Sequence, residues 1–187
     1  MEEKDIISQI LSVFASRGSD NYGGEDVSQL EHALQAASLA RTDGASAALI
    51  TAALLHDIGH ILNEEETKQD PPSQGIQGLD DAHEERGYLW LRDHFGPEVS
   101  DPVRLHVAAK RYPCTVEPEY RNRLSPTSLQ SYHDQGGPMS DEEVKAFVSE
   151  PHHEGALSVR RWDDAAKVVG MKTVTIEDFV PEFKATL

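Results

Sequence analysis

The run Ala52-Ala53-Leu54-Leu55-His56-Asp57-Ile58-Gly59-His60 constrains this chain more than any other segment. Its first half is apolar on every side, the pattern of a buried helix rather than a surface one. It then ends in an imidazole and a carboxylate. Burying such groups costs on the order of several kcal/mol unless they are paired or bind a metal. A fold that keeps this segment must therefore bring compensating charge to its end.

Four more residues of the same chemical type recur elsewhere: His32, His83, His106 and Asp163. Imidazole nitrogen and carboxylate oxygen are the usual ligands of iron, manganese and zinc. A carboxylate has two oxygens, so one Asp can bridge two ions, and Asp57 is the natural candidate. His56, with His32 and Asp163, would complete the shell of one ion. His83 and His106 would complete the other. No ligand pair has the compact spacing of a zinc finger and there is no Cys set, which argues against a structural zinc site.

The spacing predicts helices for all of these positions. Ile6, Ile7, Ile10, Leu11 and Phe14 form an apolar stripe. Ser28-Gln29-Leu30-Glu31 reads as a capping box opening a helix that carries His32 and ends near Gly44. Residues 45–59 read as a third, Ala-rich helix with His56 and Asp57 at its end. Residues 63–80 read as an acidic loop broken by Pro71-Pro72, Gly75 and Gly78, with Asp80 or Asp81 capping the helix of His83, which stops near Gly96. Asp101-Pro102 is expected to start the helix of His106 and Lys110, and Ser125-Pro126 the helix of Ser128 and Ser131. Ser140 would open another helix, and residues 154–168 would form the helix of Arg160, Trp162 and Asp163. Thr173-Val174-Thr175-Ile176 is the best short strand candidate. The expected class is all-α: one domain over residues 1–187, its core at about 22–168, with ligands projecting inward as in helical-bundle metal centres.

The net charge of −16 disfavours nucleic acid and anionic membranes as partners. No apolar stretch is long enough to span a membrane, the first residues lack the form of a signal peptide, and the single cysteine, Cys114, allows no internal disulfide. A cytoplasmic setting is the simplest reading. An anionic substrate would need a local basic pocket. Lys110 lies four residues after His106, and Arg160 three before Asp163, so each cation shares a helix face with a ligand. His60, the Ser128 hydroxyl and, one helical turn on, Ser131 could join them around an anion's oxygens.

In the order His, His-Asp, Asp, these residues resemble the HD-domain superfamily, mostly metal-dependent phosphohydrolases. His83 in Asp81-Ala82-His83-Glu84-Glu85-Arg86-Gly87 and His106 in His106-Val107-Ala108-Ala109-Lys110-Arg111-Tyr112 match the extra histidines of dinuclear members. Tyr22-Gly23-Gly24-Glu25, Ser125-Pro126-Thr127-Ser128, Gln135-Gly136-Gly137-Pro138-Met139 and Arg160-Arg161-Trp162-Asp163 narrow the resemblance to the PhnZ-type mixed-valent diiron oxygenases, which cleave carbon–phosphorus bonds. The likeness runs from about Tyr22 to Lys167.

That resemblance implies an Fe(II)/Fe(III) pair, with His32, His56, Asp57 and Asp163 on one iron and Asp57, His83 and His106 on the other. It implies dioxygen as co-substrate and a small 1-hydroxyphosphonate as substrate. The best-known one is 2-amino-1-hydroxyethylphosphonate, which yields glycine and phosphate. It also implies an upstream hydroxylase that makes the 1-hydroxyphosphonate. Tyr22 and Glu25 would form a lid: Tyr22 takes the vacant iron position without substrate, and Glu25 meets the substrate's ammonium. The 63–80 loop is longer than the resemblance leads one to expect, which leaves an N-methylated or amine-lacking analogue open. Two other readings stand beside this one. A phosphohydrolase acting on a nucleotide or phosphate ester would use His56-Asp57 without oxygen. A binding module would hold no iron and turn nothing over.

Overall fold

The computed structural model describes residues 5–63, 66, 82–117 and 119–187. Their architecture is all-α. In chain order the helices are α1 (Ile6–Arg17), α2 (Gln29–Thr42), α3 (Ala47–Leu55), α4 (His83–Leu91), α5 (Pro97–Val116), α6 (Pro126–Asp134), α7 (Asp141–Ser149), α8 (His153–Ala165) and α9 (Val180–Ala185). Short 3-10 turns occupy Ile58–His60, Arg121–Arg123 and Ile176–Phe179.

Helix α3 is the hub. Ile50 through Leu55 are all buried, and α3 packs against α2, α5, α8 and α9. Helices α4 and α8 in turn pack on α5. One large apolar cluster includes Ile10, Phe14, Ala36, Leu54, Leu91, Val103, Val159 and Phe179, and it reaches Ile6 at one end of the chain and Phe183 at the other. A smaller cluster, with Leu105, Met139, Phe147 and Ala156, joins α5, α7 and α8.

Local chemistry sets most helix starts. Ser28 and Glu31 form the capping box of α2, Ser125 caps α6 ahead of Pro126, and Ser140 with Glu143 forms a second capping box at α7.

Three expectations need correction. Helix α5 begins at Pro97 after Gly96 and runs through Pro102, so Asp101-Pro102 is no helix start. Proline is at home at the first helical position; Pro102 is tolerated further in because Val99, Ser100 and Val103 bury around it. Thr173–Ile176 forms no strand: among the described residues it has no partner strand, and Thr175 with Asp178 caps the 3-10 turn that buries Ile176 and Phe179. Helix α3 stops at Leu55, before His56 and Asp57, and the backbone tightens into the 3-10 turn. There Gly59 lies so close to α4 that a Cβ on it would stand 1.9 Å from the His83 carbonyl oxygen.

The other bounds shift slightly. Helix α4 ends at Leu91, and α8 covers His153–Ala165. Residue Ala82 is the N-cap of α4, with φ 50°. Asp80, Asp81 and nearly all of the 63–80 loop lie outside the described residues. Among the described residues no helix is long and apolar enough to cross a membrane.

Candidate metal centre

Five segments bring the six expected ligands to one place. His32 comes from α2, His56 and Asp57 from the end of α3, His83 from the start of α4, His106 from α5 and Asp163 from α8. All six are buried. The carboxylate of Asp57 stands at the middle, and its two oxygens face different partners. Oδ2 lies 3.2 Å from His56 Nε2 and 3.6 Å from His32 Nε2. Oδ1 lies 3.3 Å from His83 Nε2 and 3.2 Å from His106 Nε2. Asp163 Oδ1 joins the first group, 3.4 Å from His32 Nε2. Atoms bound at ~2.1 Å to one ion in tetrahedral or octahedral geometry stand roughly 3.0–3.4 Å apart, so these separations suit ligands of two ions that share Asp57.

The donor chemistry also fits metal. Nδ1 of His32, His56 and His106 each faces a backbone carbonyl, of Ala166 at 2.8 Å, Ala53 at 2.8 Å and Val103 at 2.7 Å. A carbonyl only accepts, so Nδ1 carries a proton, and in its neutral form each ring turns an Nε2 lone pair inward. His32 Nε2 and His56 Nε2 then meet at 3.2 Å, and His83 Nε2 and His106 Nε2 at 3.0 Å. Where both rings of such a pair are neutral with Nδ1 protonated, the facing lone pairs repel unless a cation joins them. His32, His56 and Asp163 form one group with metal-ligating geometry, and Asp57, His60 and His83 form another.

Electrostatics keep the carboxylates charged; burial opposes a charge on His56, but Asp57 and Asp163 outweigh it and raise the ring's pKa above the usual value. Burial pushes Asp57 up, but His56, His106 and His83 outweigh it and keep the carboxyl well below its usual range. Burial likewise opposes Asp163, and Arg160 and Lys167 keep it well below the usual range. Burial drives His106 down to about 4, so its ring is neutral and ready to bind.

The other expected site residues gather around this pair. His60 stacks on His83 with centroids 3.8 Å apart, and its Nε2 lies 4.0 Å from Asp57 Oδ1, at the exposed side of the second group. That places it with potential ligands as well as at the pocket's edge. Tyr22 stacks on His32 at 3.8 Å, and its hydroxyl lies 3.5 Å from Asp163 Oδ1. Burial and the carboxylates of Asp163 and Asp57 push its phenol well above the ordinary value, so it keeps its proton. Gly23 and Gly24, at φ 51° and 93°, let the Tyr22–Val27 turn close in left-handed backbone. Glu25 on that turn accepts a 2.5 Å hydrogen bond from Ser125 Oγ.

Cations line the far side. Arg160 is buried, 2.6 Å from Asp163 Oδ2, and also bonds Asp164, which Tyr120 contacts in turn. Lys110 is only 5% exposed, and its hydrogen bonds go to neutral groups: Ser131 Oγ at 2.9 Å and Gln135 Oε1 at 2.7 Å. Burial, then repulsion from Arg160, brings its pKa down to about 8. The Ser131 hydroxyl donates to the Ser128 carbonyl, so its proton is committed and it props Lys110. Ser128 Oγ accepts from Lys167 at 2.8 Å. Sequence reasoning missed Lys167, Gln135 and Gln35 as participants. Gln35 had a readable signal, since it lies one helical turn after His32 on the same face.

The model of the HD domain matches residues 29–146. A hydroxymethylphosphonate dioxygenase of Gimesia maris is 43% identical over 181 residues, 97% of this chain and 88% of that protein. A [1-hydroxy-2-(trimethylamino)ethyl]phosphonate dioxygenase (glycine-betaine-forming) of Leisingera caerulea is 41% identical over 181 residues, 95% of this chain and 88% of that one. The uncharacterized protein L432 of Acanthamoeba polyphaga mimivirus is 36% identical over 165 residues, 87% of this chain and 73% of its own. With its His and Asp donors drawn from five segments around Asp57, this chain belongs to the HD-domain family, in the PhnZ-type branch of phosphonate dioxygenases.

Proposed function

We propose that the chain is a single-domain, cytoplasmic oxygenase that holds two irons and cleaves the C–P bond of a 1-hydroxyphosphonate. The substrate class includes 2-amino-1-hydroxyethylphosphonate, giving glycine and phosphate, and its N-methylated and amine-lacking analogues. The observation that carries this reading is Lys110. A buried ammonium whose hydrogen bonds among the described residues go to neutral groups, with Arg160 close enough to repel it, is placed to take an anion.

His32, His56, Asp57 and Asp163 would hold one iron, and Asp57, His83 and His106 the other. When bound, the irons supply Lewis acidity and the reaction with dioxygen. The chain's own residues do the rest. Lys110 and Arg160 bind the phosphonate oxygens and fix C1 against the metals. The Ser128 hydroxyl donates to the same group. His60 lines the open side, where the substrate's hydroxyl would lie. Tyr22 over His32 covers the first metal position and keeps water out until substrate displaces it. Glu25 turns from Ser125 to a substrate ammonium where there is one. The substrate's C1 hydroxyl requires an upstream enzyme that hydroxylates the parent phosphonate.

The test is phosphate release by iron-loaded enzyme from hydroxymethylphosphonate, 2-amino-1-hydroxyethylphosphonate and its trimethylated form, with and without dioxygen. Phosphate should appear only with dioxygen, about one per dioxygen consumed. Equal release under nitrogen would instead mean hydrolysis and sink the oxygenase reading.

A further inference from the structure

Lys167 lies just past the end of α8 and has no part in the proposed reaction so far. Its ammonium donates to Ser128 Oγ at 2.8 Å and sits 3.5 Å from Asp163 Oδ1. It also stands 5.9 Å from the centroid of the Tyr22 ring. One side chain thus touches a phosphonate contact, a metal ligand and the covering aromatic.

Its position is tightly prescribed. On one side, His32 Nδ1 bonds the carbonyl of Ala166 at 2.8 Å. On the other, the buried amide of Gln35 pairs with both backbone groups of Val168: its Nε2 donates to the Val168 carbonyl at 3.0 Å, and its Oε1 accepts from Val168 N at 3.0 Å. Helix α2 therefore clamps residues 166 and 168, and the backbone of Lys167 is held between the clamps. A buried glutamine spent on two backbone bonds is a costly arrangement for a mere surface cation.

The chemistry of a hydroxyl gives the clamp a purpose. A serine Oγ has one proton to donate and lone pairs to accept with. When Lys167 donates to Ser128 Oγ, the Ser128 proton must point elsewhere, toward an acceptor. The neighbouring Ser131 proton is taken by the Ser128 carbonyl, so Ser128 is the hydroxyl left to donate on this side. We infer that Lys167 is a positioning residue of the anion subsite: it turns the Ser128 hydroxyl outward as a donor to an unprotonated phosphonate oxygen, and Gln35 holds Lys167 in place to do so. This rests on the proposed reading of the pocket as a phosphonate site.

The experiment compares metal-loaded full chain carrying Lys167→Met, Lys167→Arg, Ser128→Ala and the Lys167→Met/Ser128→Ala pair. Steady-state KM and kcat are measured for the hydroxyphosphonate that turns over best, and the Kd of inorganic phosphate by calorimetry. Lys167→Met should raise KM and the phosphate Kd about tenfold, the size of a lost charge-assisted hydrogen bond, with a much smaller fall in kcat. Ser128→Ala should do the same. The double variant should be no worse than the worse single, because both remove one donor. Lys167→Arg, which keeps the charge and a donor, should recover much of the affinity, and metal content should stay at the wild-type level throughout. Costs that multiply in the double variant, an effect on kcat alone, or loss of metal from Lys167→Met would overturn the inference. The two readings fail separately. If no hydroxyphosphonate is turned over but phosphate Kd follows this pattern, the proposed function falls and the role of Lys167 stands. If turnover is normal and Lys167→Met binds phosphate as the wild type does, the reverse holds.

Discussion

His83 Nε2 and His106 Nε2 face each other at 3.0 Å, with Asp57 Oδ1 within 3.3 Å of both. The carboxylate they share also reaches toward His32 and His56. Asp57→Asn keeps the size of the side chain and removes its charge. Metal bound per chain, measured by elemental analysis, is expected to fall by roughly half or more, and turnover by at least about a hundredfold, because a carboxylate placed between the two groups would serve both ions. His83→Ala should empty the second position while leaving more metal at the first.

Metal should also stabilise the fold. Ligand binding to the native state alone adds about 2.7 kcal/mol at a free concentration of a hundred times Kd. In a protein of this size each kcal/mol moves Tm by about 2–4 °C. Iron(II) under anaerobic conditions is therefore expected to raise Tm by roughly 5–10 °C, and a chelator to reverse it. An unchanged melting curve in calorimetry would count against a preformed centre.

Gly59 offers a steric test. Its alanine variant would drive a methyl group into the His83 carbonyl, which is backbone and cannot rotate away. The expected cost is about 1–3 kcal/mol of stability, together with loss of metal from the His83 side. Circular dichroism melts and metal analysis on the same sample read both effects.

Lys110 predicts a pH dependence. Its pKa in the chain is about 8, and anion binding needs the ammonium. The charge is full below that value and is lost as pH rises through it. Wild-type kcat/KM should therefore fall with rising pH above about 8, approaching tenfold per unit. Lys110→Arg does not titrate in this range and should flatten that limb. Lys110→Met should be low at every pH. A profile that keeps the same alkaline limb in Lys110→Met would assign the titration to another group.

The cluster of His and Asp side chains was legible because it violates an expectation of the sequence: His56 and Asp57 close a run that should otherwise stay apolar. The capped starts of α2, α6 and α7 were legible because a cap acts over four residues. What escaped depends on partners far apart in the chain. Pro102 resembled a helix start because Asp101-Pro102 is locally favourable, yet the turn from Pro97 and the burial of Val99 and Val103 outweighed it. Lys167 resembled any surface lysine until the fold placed Ser128, 39 residues away, against it. Ser131 was read as a phosphonate contact, but its proton goes to the Ser128 carbonyl and its lone pair to Lys110. Such commitments follow from rotamers and packing, which spacing alone does not encode.

Asp57 is where α2, α3, α4, α5 and α8 converge through their ligands, from His32 to Asp163. With metal in place, these segments are cross-linked at one point, and none can swing away while its donor stays bound. Opening the fold would then require stripping the ions, and the lifetime of the native chain is expected to follow the rate at which metal leaves, which chelator-dependent unfolding rates would read.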